Sequence, residues 1–429
     1  MRSPTVSTKL QELAKQARQY PDRVFTTLAH WMDVEFLREA YRRLNKRGAP
    51  GLDKVTAADY AKHLEENLID LHERLRSGRY RAPLIKRVWI EKENGKLRPL
   101  GIPQFEDKIV QRAVEMLLSA IYEEMFHDFS HGFRKGRSQH KAIHELRESC
   151  IRLNIQRILI ADITGLFDNI DHQKLLEFIR QRVNDGAILR LIGKWLKAGV
   201  MEDERVVYPD RGSPQGGVIS PLLSNIFLHY VLDDWFANEA TPRLKGNCFV
   251  TRWADDFIIG FQNESDAERV KAVLPRRFNR FGLELHPDKT ALIHFGRPRM
   301  GKSDTQGSDT FDFLGFTFYW AKSRMGYPII KKKTARKRLN RYLKMTWNWC
   351  KENRHDPIQD QYQTLSAKLR GFYQYYGVRS NFKALEAAYE YTEKAWRRWL
   401  SRRSHKGKVL FEELRDVFPL PKPRIVHAI

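Results

Sequence analysis

The chain has 429 residues, 42% hydrophobic and 12% aromatic, enough for two or three domains with real cores and too apolar for a disordered protein. Lys and Arg number 76 against 52 acids, and this charge of +24 points to a polyanionic partner, nucleic acid ahead of an acidic membrane surface. No apolar run nears the ~20 residues of a membrane-spanning helix, so no membrane partner is expected. The first twenty residues lack the apolar stretch of a secretory signal. Cys150, Cys248 and Cys350 are too scattered for a disulfide framework or a zinc pattern, so a cytoplasmic, reduced protein is expected.

In chain order, residues 1–80 read as helical and closed by a turn at "RGAPGLD" (47–53). "LIKRVWIEKENGKLRPLGIP" (84–103) alternates as two strands around a turn at 93–95. "DKIVQRAVEMLLSAIYEEMF" carries Ile109, Val110, Ala113, Val114, Leu117 and Ile121 at helical spacing. "RILIAD" (157–162) fits a buried strand. Ser220 and Pro221 predict a helix start, with Ser as cap and Pro in the first turn. "CFVTRW" and "FIIGF" predict a hairpin around Ala254–Asp256. From Tyr327 onward the chain turns basic, with "KKKTARKRLNRYLK" (331–344) followed by segments carrying Leu, Phe, Tyr and Trp at helical spacing. This part reads as a separate helical module.

The chemistry concentrates in three carboxylates. Asp255 and Asp256 lie at the hairpin tip, and Asp162 ends the buried strand. If the two strands are neighbours, the acids converge and need cations to neutralise them. Mg²⁺ suits such a site, because it takes few protein carboxylates and completes its shell with water and phosphate. On spacing alone a polar turn and a strand-end cap explain these residues equally well. "RGSPQGGVISPLLSN" (211–225) adds Gly216 and Gly217, which let the backbone approach a base or sugar closely.

Together these segments resemble a known family. "RWADD" is similar to the aromatic-x-Asp-Asp box of reverse transcriptases, and "ADITGLFDNIDH" to their first palm motif. "GSPQGGVISPLLSNIFLHYVLD" resembles the matching motif of group II intron-encoded reverse transcriptase/maturases. "NKRGAPGLD", "KLRPLGIP", "SHGFRKGRSQHKAI", "LELHPDKT", "FDFLGFTF", "LRGFYQYYG" and "FPLPKPRIVH" follow that family's order over nearly the whole chain.

The resemblance implies an α+β right-hand polymerase followed by an all-helical thumb. Its divisions would be an N-terminal extension with the start of the fingers (1–80), fingers (81–155), a palm with an antiparallel sheet (156–326), and a basic thumb or maturase domain (327–429). It implies RNA-directed DNA polymerase activity, with an RNA template, a DNA or RNA primer and deoxynucleoside triphosphates. Two Mg²⁺ ions, replaceable by Mn²⁺, would sit on Asp162, Asp255 and the less certain ligand Asp256, with the Ile163 carbonyl completing one shell. Phe167 would be the steric gate against ribonucleotides. Lys96, Arg98, Gln215, Gly216 and Lys289 would meet the nucleotide, and Phe313, Leu314, Gly315 and Phe316 the primer. Lys331, Lys332, Lys333, Arg336, Lys337, Arg338, Arg341, Arg397, Arg398, Arg402 and Arg403 would face RNA, while Tyr373, Tyr375, Tyr376, Trp396 and Trp399 read as core.

Thr164, Leu166 and Trp253 depart from the family pattern, which has Lys, Phe and Tyr there. These departures put fidelity, processivity and substrate preference in question and leave the metal chemistry untouched. The endonuclease domain of some relatives is expected to be absent, since no paired-cysteine framework is found. Two rival readings stand beside this one: an RNA-binding maturase that no longer polymerises, and a free-standing reverse transcriptase serving phage defence or DNA repair.

Overall fold

The structure, a computed structural model, describes residues 5–91, 95, 97–202, 205–208, 210–212, 216–298, 308–403 and 411–429. The N-terminal region is helical, as its spacing predicts, but the turn at 47–53 does not end it. Helices Val6–Gln19 and Val34–Arg43 precede the turn, and Ala57–Ala61 and Leu64–Arg76 follow. A capping box restarts the helix: Thr56 accepts from the Asp59 amide, and the Asp59 carboxylate accepts from Thr56 in return. Helix Phe105–Tyr122 buries all six residues predicted to face a core, and helices Val6–Gln19 and Val34–Arg43 pack on it.

The strands are β1 (Ile85–Glu91), β2 (Leu97–Ile102), β3 (Arg157–Thr164), β4 (Val200–Glu202), β5 (Arg205–Val207), β6 (Cys248–Trp253), β7 (Asp256–Phe261), β8 (Glu284–Leu285), β9 (Ala291–His294), β10 (Phe311–Phe313), β11 (Phe316–Lys322) and β12 (Pro328–Thr334). β1 and β2 pair antiparallel with Val88 opposite Leu100, and this sheet runs β2-β1-β4-β5. A second sheet runs β6-β7-β3-β8, with β9 also on β3. The third is the antiparallel β10-β11-β12.

The chain forms two compact units, Met1–Arg137 with Leu159–Ile259 and Ser265–Leu292, and Ser138–Ile158 with Gly260–Glu264 and Ile293–Ile429. These cut the sequence along other lines than the four segments expected. The second unit holds helices Arg336–Glu352, Ile358–Tyr376 and Phe382–Leu400 around a core that includes Leu365, Leu369, Tyr373, Leu385 and Trp396.

The basic module is not helical throughout. Lys331, Lys332 and Lys333 lie on β12, and the helix starts only at Arg336. Ile329 and Ile330 before the lysines favour a strand, and β11 offers an edge on which it pairs. The three cysteines are free, and among the described residues no helix is long and apolar enough to cross a membrane.

Candidate active site

The predicted hairpin forms, with its reversal at Ala254–Asp255. Ala254 adopts φ 54°, a left-handed conformation that costs a residue with a Cβ roughly 1–2 kcal/mol. Its surroundings hold it there. A Cβ on Gly132 would stand 2.4 Å from the Ala254 nitrogen, so only glycine permits this approach. Arg252, fully buried, donates to both Asp233 oxygens (2.8 and 2.5 Å), Asn225 Oδ1 (3.0 Å), Ser130 Oγ (2.7 Å) and the Ala254 carbonyl (3.1 Å). Asn225 Nδ2 in turn donates to the Gly132 carbonyl at 2.7 Å. One guanidinium thus ties the turn to a helix and to the loop before Gly132. Sequence reading missed Arg252, Asp233 and Asn225. The available signal was a charge at an inward strand position, but one arginine among 76 cations draws no notice.

β3 lies beside β7, and this brings the three aspartates together. The Asp162 and Asp256 carboxyls lie close enough to interact, and Lys289 Nζ donates to Asp162 Oδ2. Asp256 keeps solvent-exposed surface, yet burial of its carboxyl, then Asp255 and Asp162, push it up from 3.8 to about 7. Burial chiefly raises Asp255 as well; Asp162 adds to this, while its own backbone amide, Arg98 and Lys289 oppose it. The hydrogen bond to Asp162 raises Lys289. Three crowded carboxyls with one lysine as direct counter-charge fit a divalent-cation site, since oxygen ligands in excess of neutralising charge are what Mg²⁺ requires.

A pH dependence follows. Folded Asp256 holds its proton up to about 7, whereas the unfolded residue has lost it above 3.8, so metal-free stability falls across that interval. Millimolar Mg²⁺ should therefore raise the melting temperature by several degrees near pH 8 and by much less near about pH 5. Asp256→Asn should raise the metal-free melting temperature and shrink the Mg²⁺ gain. Equal Mg²⁺ gains at both pH values would contradict the crowding.

After β3, Gly165 at φ 54° starts the short helix Leu166–Asn169. Leu166 is buried in the core while Phe167 is half-buried, so the departure at 166 concerns packing and leaves the aromatic at 167 in place. Thr164 is exposed. Gly212 lies against this turn, where a Cβ would meet the Phe167 carbonyl at 2.7 Å. Gly216, at φ 108°, leaves no room for a side chain: a Cβ would stand 2.5 Å from the Gly101 carbonyl of β2. Lys96 and Gln215 lie outside the described residues.

Arg98 is exposed on β2, near enough for its charge to lower Asp255. Ile163 is buried opposite Leu285. The helix Ser220–Leu228 has Pro221 in its first turn, but Ser220 is its first residue and not its cap. Gln111, from another helix, holds the segment leading into it, its Oε1 accepting from the Val218 amide at 2.8 Å. Buried Asp107 fixes Gln111 and itself accepts from Tyr80 and Trp195.

In the second unit, Phe313 and Phe316 are buried, and the hairpin tip Leu314–Gly315 is what the proposed primer grip presents. Tyr375 donates to the Leu314 carbonyl at 2.8 Å and stacks on Phe316, so it supports that tip. Tyr373 and Trp396 are core as expected, while Tyr375, Tyr376 and Trp399 are only partly buried. Lys332 cannot serve RNA. β12 alternation turns it inward with Ile330 and Thr334, where burial lowers its amine to about 8. Arg403 donates to the His355 and Asp356 carbonyls.

Lys333, Arg336, Lys337, Arg338, Arg341, Arg398 and Arg402 are exposed, and Lys331 and Arg397 half-exposed. Arg397, Arg398 and Arg402 line an open groove of about 640 Å³ with Trp347, Tyr391 and Lys394.

The family described as reverse transcriptase (RNA-dependent DNA polymerase) matches residues 90–318, more than half of the chain. Protein YkfC of Escherichia coli is 33% identical over 75% of this chain and 90% of its own length. Group II intron-encoded protein LtrA of Lactococcus lactis is 29% identical over 89% of this chain and 75% of its own. An uncharacterised 91 kDa protein in the cob intron of Schizosaccharomyces pombe is 33% identical over 55% of this chain and 29% of its own. With its aspartates gathered on neighbouring strands, the chain belongs to the reverse transcriptase (RNA-dependent DNA polymerase) family, in the group II intron-encoded reverse transcriptase/maturase group.

Proposed function

We propose that this chain extends a primer 3′-hydroxyl with deoxynucleotides on an RNA template, and that its second unit binds a structured intron RNA to assist splicing. The convergence of Asp162, Asp255 and Asp256 carries the polymerase half of this reading. These side chains would hold two Mg²⁺ ions, with the Ile163 carbonyl as a further ligand. Bound there, the ions would supply charge stabilisation for the attacking hydroxyl and the departing pyrophosphate. Arg98 would neutralise triphosphate oxygens, for which its fork of donors suits it.

Lys289 now occupies Asp162. With ions held by that carboxylate, the Lys289 ammonium would stand free to meet the leaving pyrophosphate and could give it a proton. In this reading the first unit combines fingers and palm, the Leu314–Gly315 tip meets the primer, and the Trp347–Tyr391 groove takes RNA by stacking and phosphate contact.

Phe167, half-buried at the turn that follows Asp162, would stand where a ribose 2′-hydroxyl must go. Phe167→Ala should admit ribonucleotides, raising their kcat/KM relative to deoxynucleotides by about a hundredfold, or about 2.7 kcal/mol. RNA-templated extension with each nucleotide set tests this, and a variant that still rejects ribonucleotides removes the gate role. The RNA-binding half is separable: splicing assistance should survive loss of the aspartates.

A further inference from the structure

We propose that His127, His229 and Asp234 bind a divalent transition-metal ion, Zn²⁺ by preference, at a structural site that shares no ligand with the catalytic aspartates. One ligand atom from each residue lies within 4.8 Å of the other two. His127 Nε2 is 2.9 Å from Asp234 Oδ1, and His229 Nε2 is 4.0 Å from the same oxygen. A point equidistant from three atoms so spaced lies about 2.0–2.4 Å from each, close to the ~2.0–2.2 Å of Zn–N and Zn–O bonds. Two imidazoles and one carboxylate suit zinc and its neighbours rather than Mg²⁺, which takes oxygen.

The local winding supports the assignment. In an α-helix, residues five apart diverge by about 140°. Here His229–Asp233 and Trp235–Ala240 are wound as π-helix, whose bonds join residues five apart and place them on one face. The widening puts Asp234 beside His229 and leaves Asp233 turned to Arg252. His229 is 2% exposed, and its Nε2 is the ring nitrogen that stands toward Asp234. His127 and Asp234 are partly exposed, so an ion has a way in. On binding, the proton shared by His127 and Asp234 leaves to solvent. The ion would brace the segment whose next residue, Asp233, holds the Arg252 clamp.

The test uses the untagged full chain, stripped by chelator and kept in excess Mg²⁺ so that the aspartates are filled. Titration with Co²⁺ should give one equivalent of intense visible absorption, displaced by Zn²⁺, with a melting temperature several degrees higher. His127→Ala and Asp234→Asn, at partly exposed positions, should still fold by circular dichroism and should bind Co²⁺ at least about tenfold more weakly. No absorption in the wild type, or equal binding in both variants, overturns the site and leaves only the His127–Asp234 hydrogen bond. The readout needs no polymerase activity, so it stands or falls apart from the catalytic reading.

Discussion

Asp255→Ala abolishes primer extension on RNA, a loss of at least about a thousandfold or about 4 kcal/mol of barrier, while RNA affinity stays within a factor of two. The two halves of this expectation have separate origins. In the proposed reading extension depends on the Asp255 carboxylate near Asp162, and Asp256 cannot replace it because it is itself one of the acids that would hold the ions. RNA affinity, in the same reading, would depend on the exposed cations of the second unit and on the overall charge. Single-turnover extension and filter binding on the same preparation separate them. Undiminished cDNA synthesis in the variant would sink the assignment of the site.

The largest stability effect belongs to Arg252→Met. The change strands Asp233, a fully buried carboxylate, and leaves Asn225, Ser130 and the Ala254 carbonyl without a buried donor. Breaking such a pair by removing one member costs about 3–5 kcal/mol. Arg252→Lys keeps the charge but cannot span the same acceptors, so an intermediate loss is expected. Adding Asp233→Leu to Arg252→Met should recover much of the stability, since no uncompensated charge then remains.

Activity should not recover with it. The double variant still lacks the donor to the Ala254 carbonyl that helps hold the left-handed turn, so kcat should stay low while nucleotide KM changes little. Denaturant melts and steady-state kinetics on the four proteins of the cycle provide the check. A double variant with wild-type kcat would show that Arg252 is only a structural cation.

Local patterns carried a good deal of this protein. The helix Phe105–Tyr122 follows from apolar spacing alone, and the β6–β7 hairpin from two apolar runs around a polar tip. The aspartates stood out because two adjacent acids between buried strands demand a reason. Other features were decided by neighbours distant in sequence. Lys332 looked like its neighbours Lys331 and Lys333, and only pairing with β11 set which side of the strand faced inward. Ser220 had the residue type of a cap, yet it is the first helical residue, and Gln111, more than a hundred positions earlier, holds the segment before it.

The sequence by itself determined most element types, the strong positive charge and the three acids, because periodicity, charge and residue chemistry are local properties. Tertiary structure alone decided that those acids meet, that Arg252 is the cation buried behind them, and that Lys332 is withdrawn from the surface. Such outcomes depend on which strand lies beside which and on which polar groups lose water together, and contacts between distant segments set both.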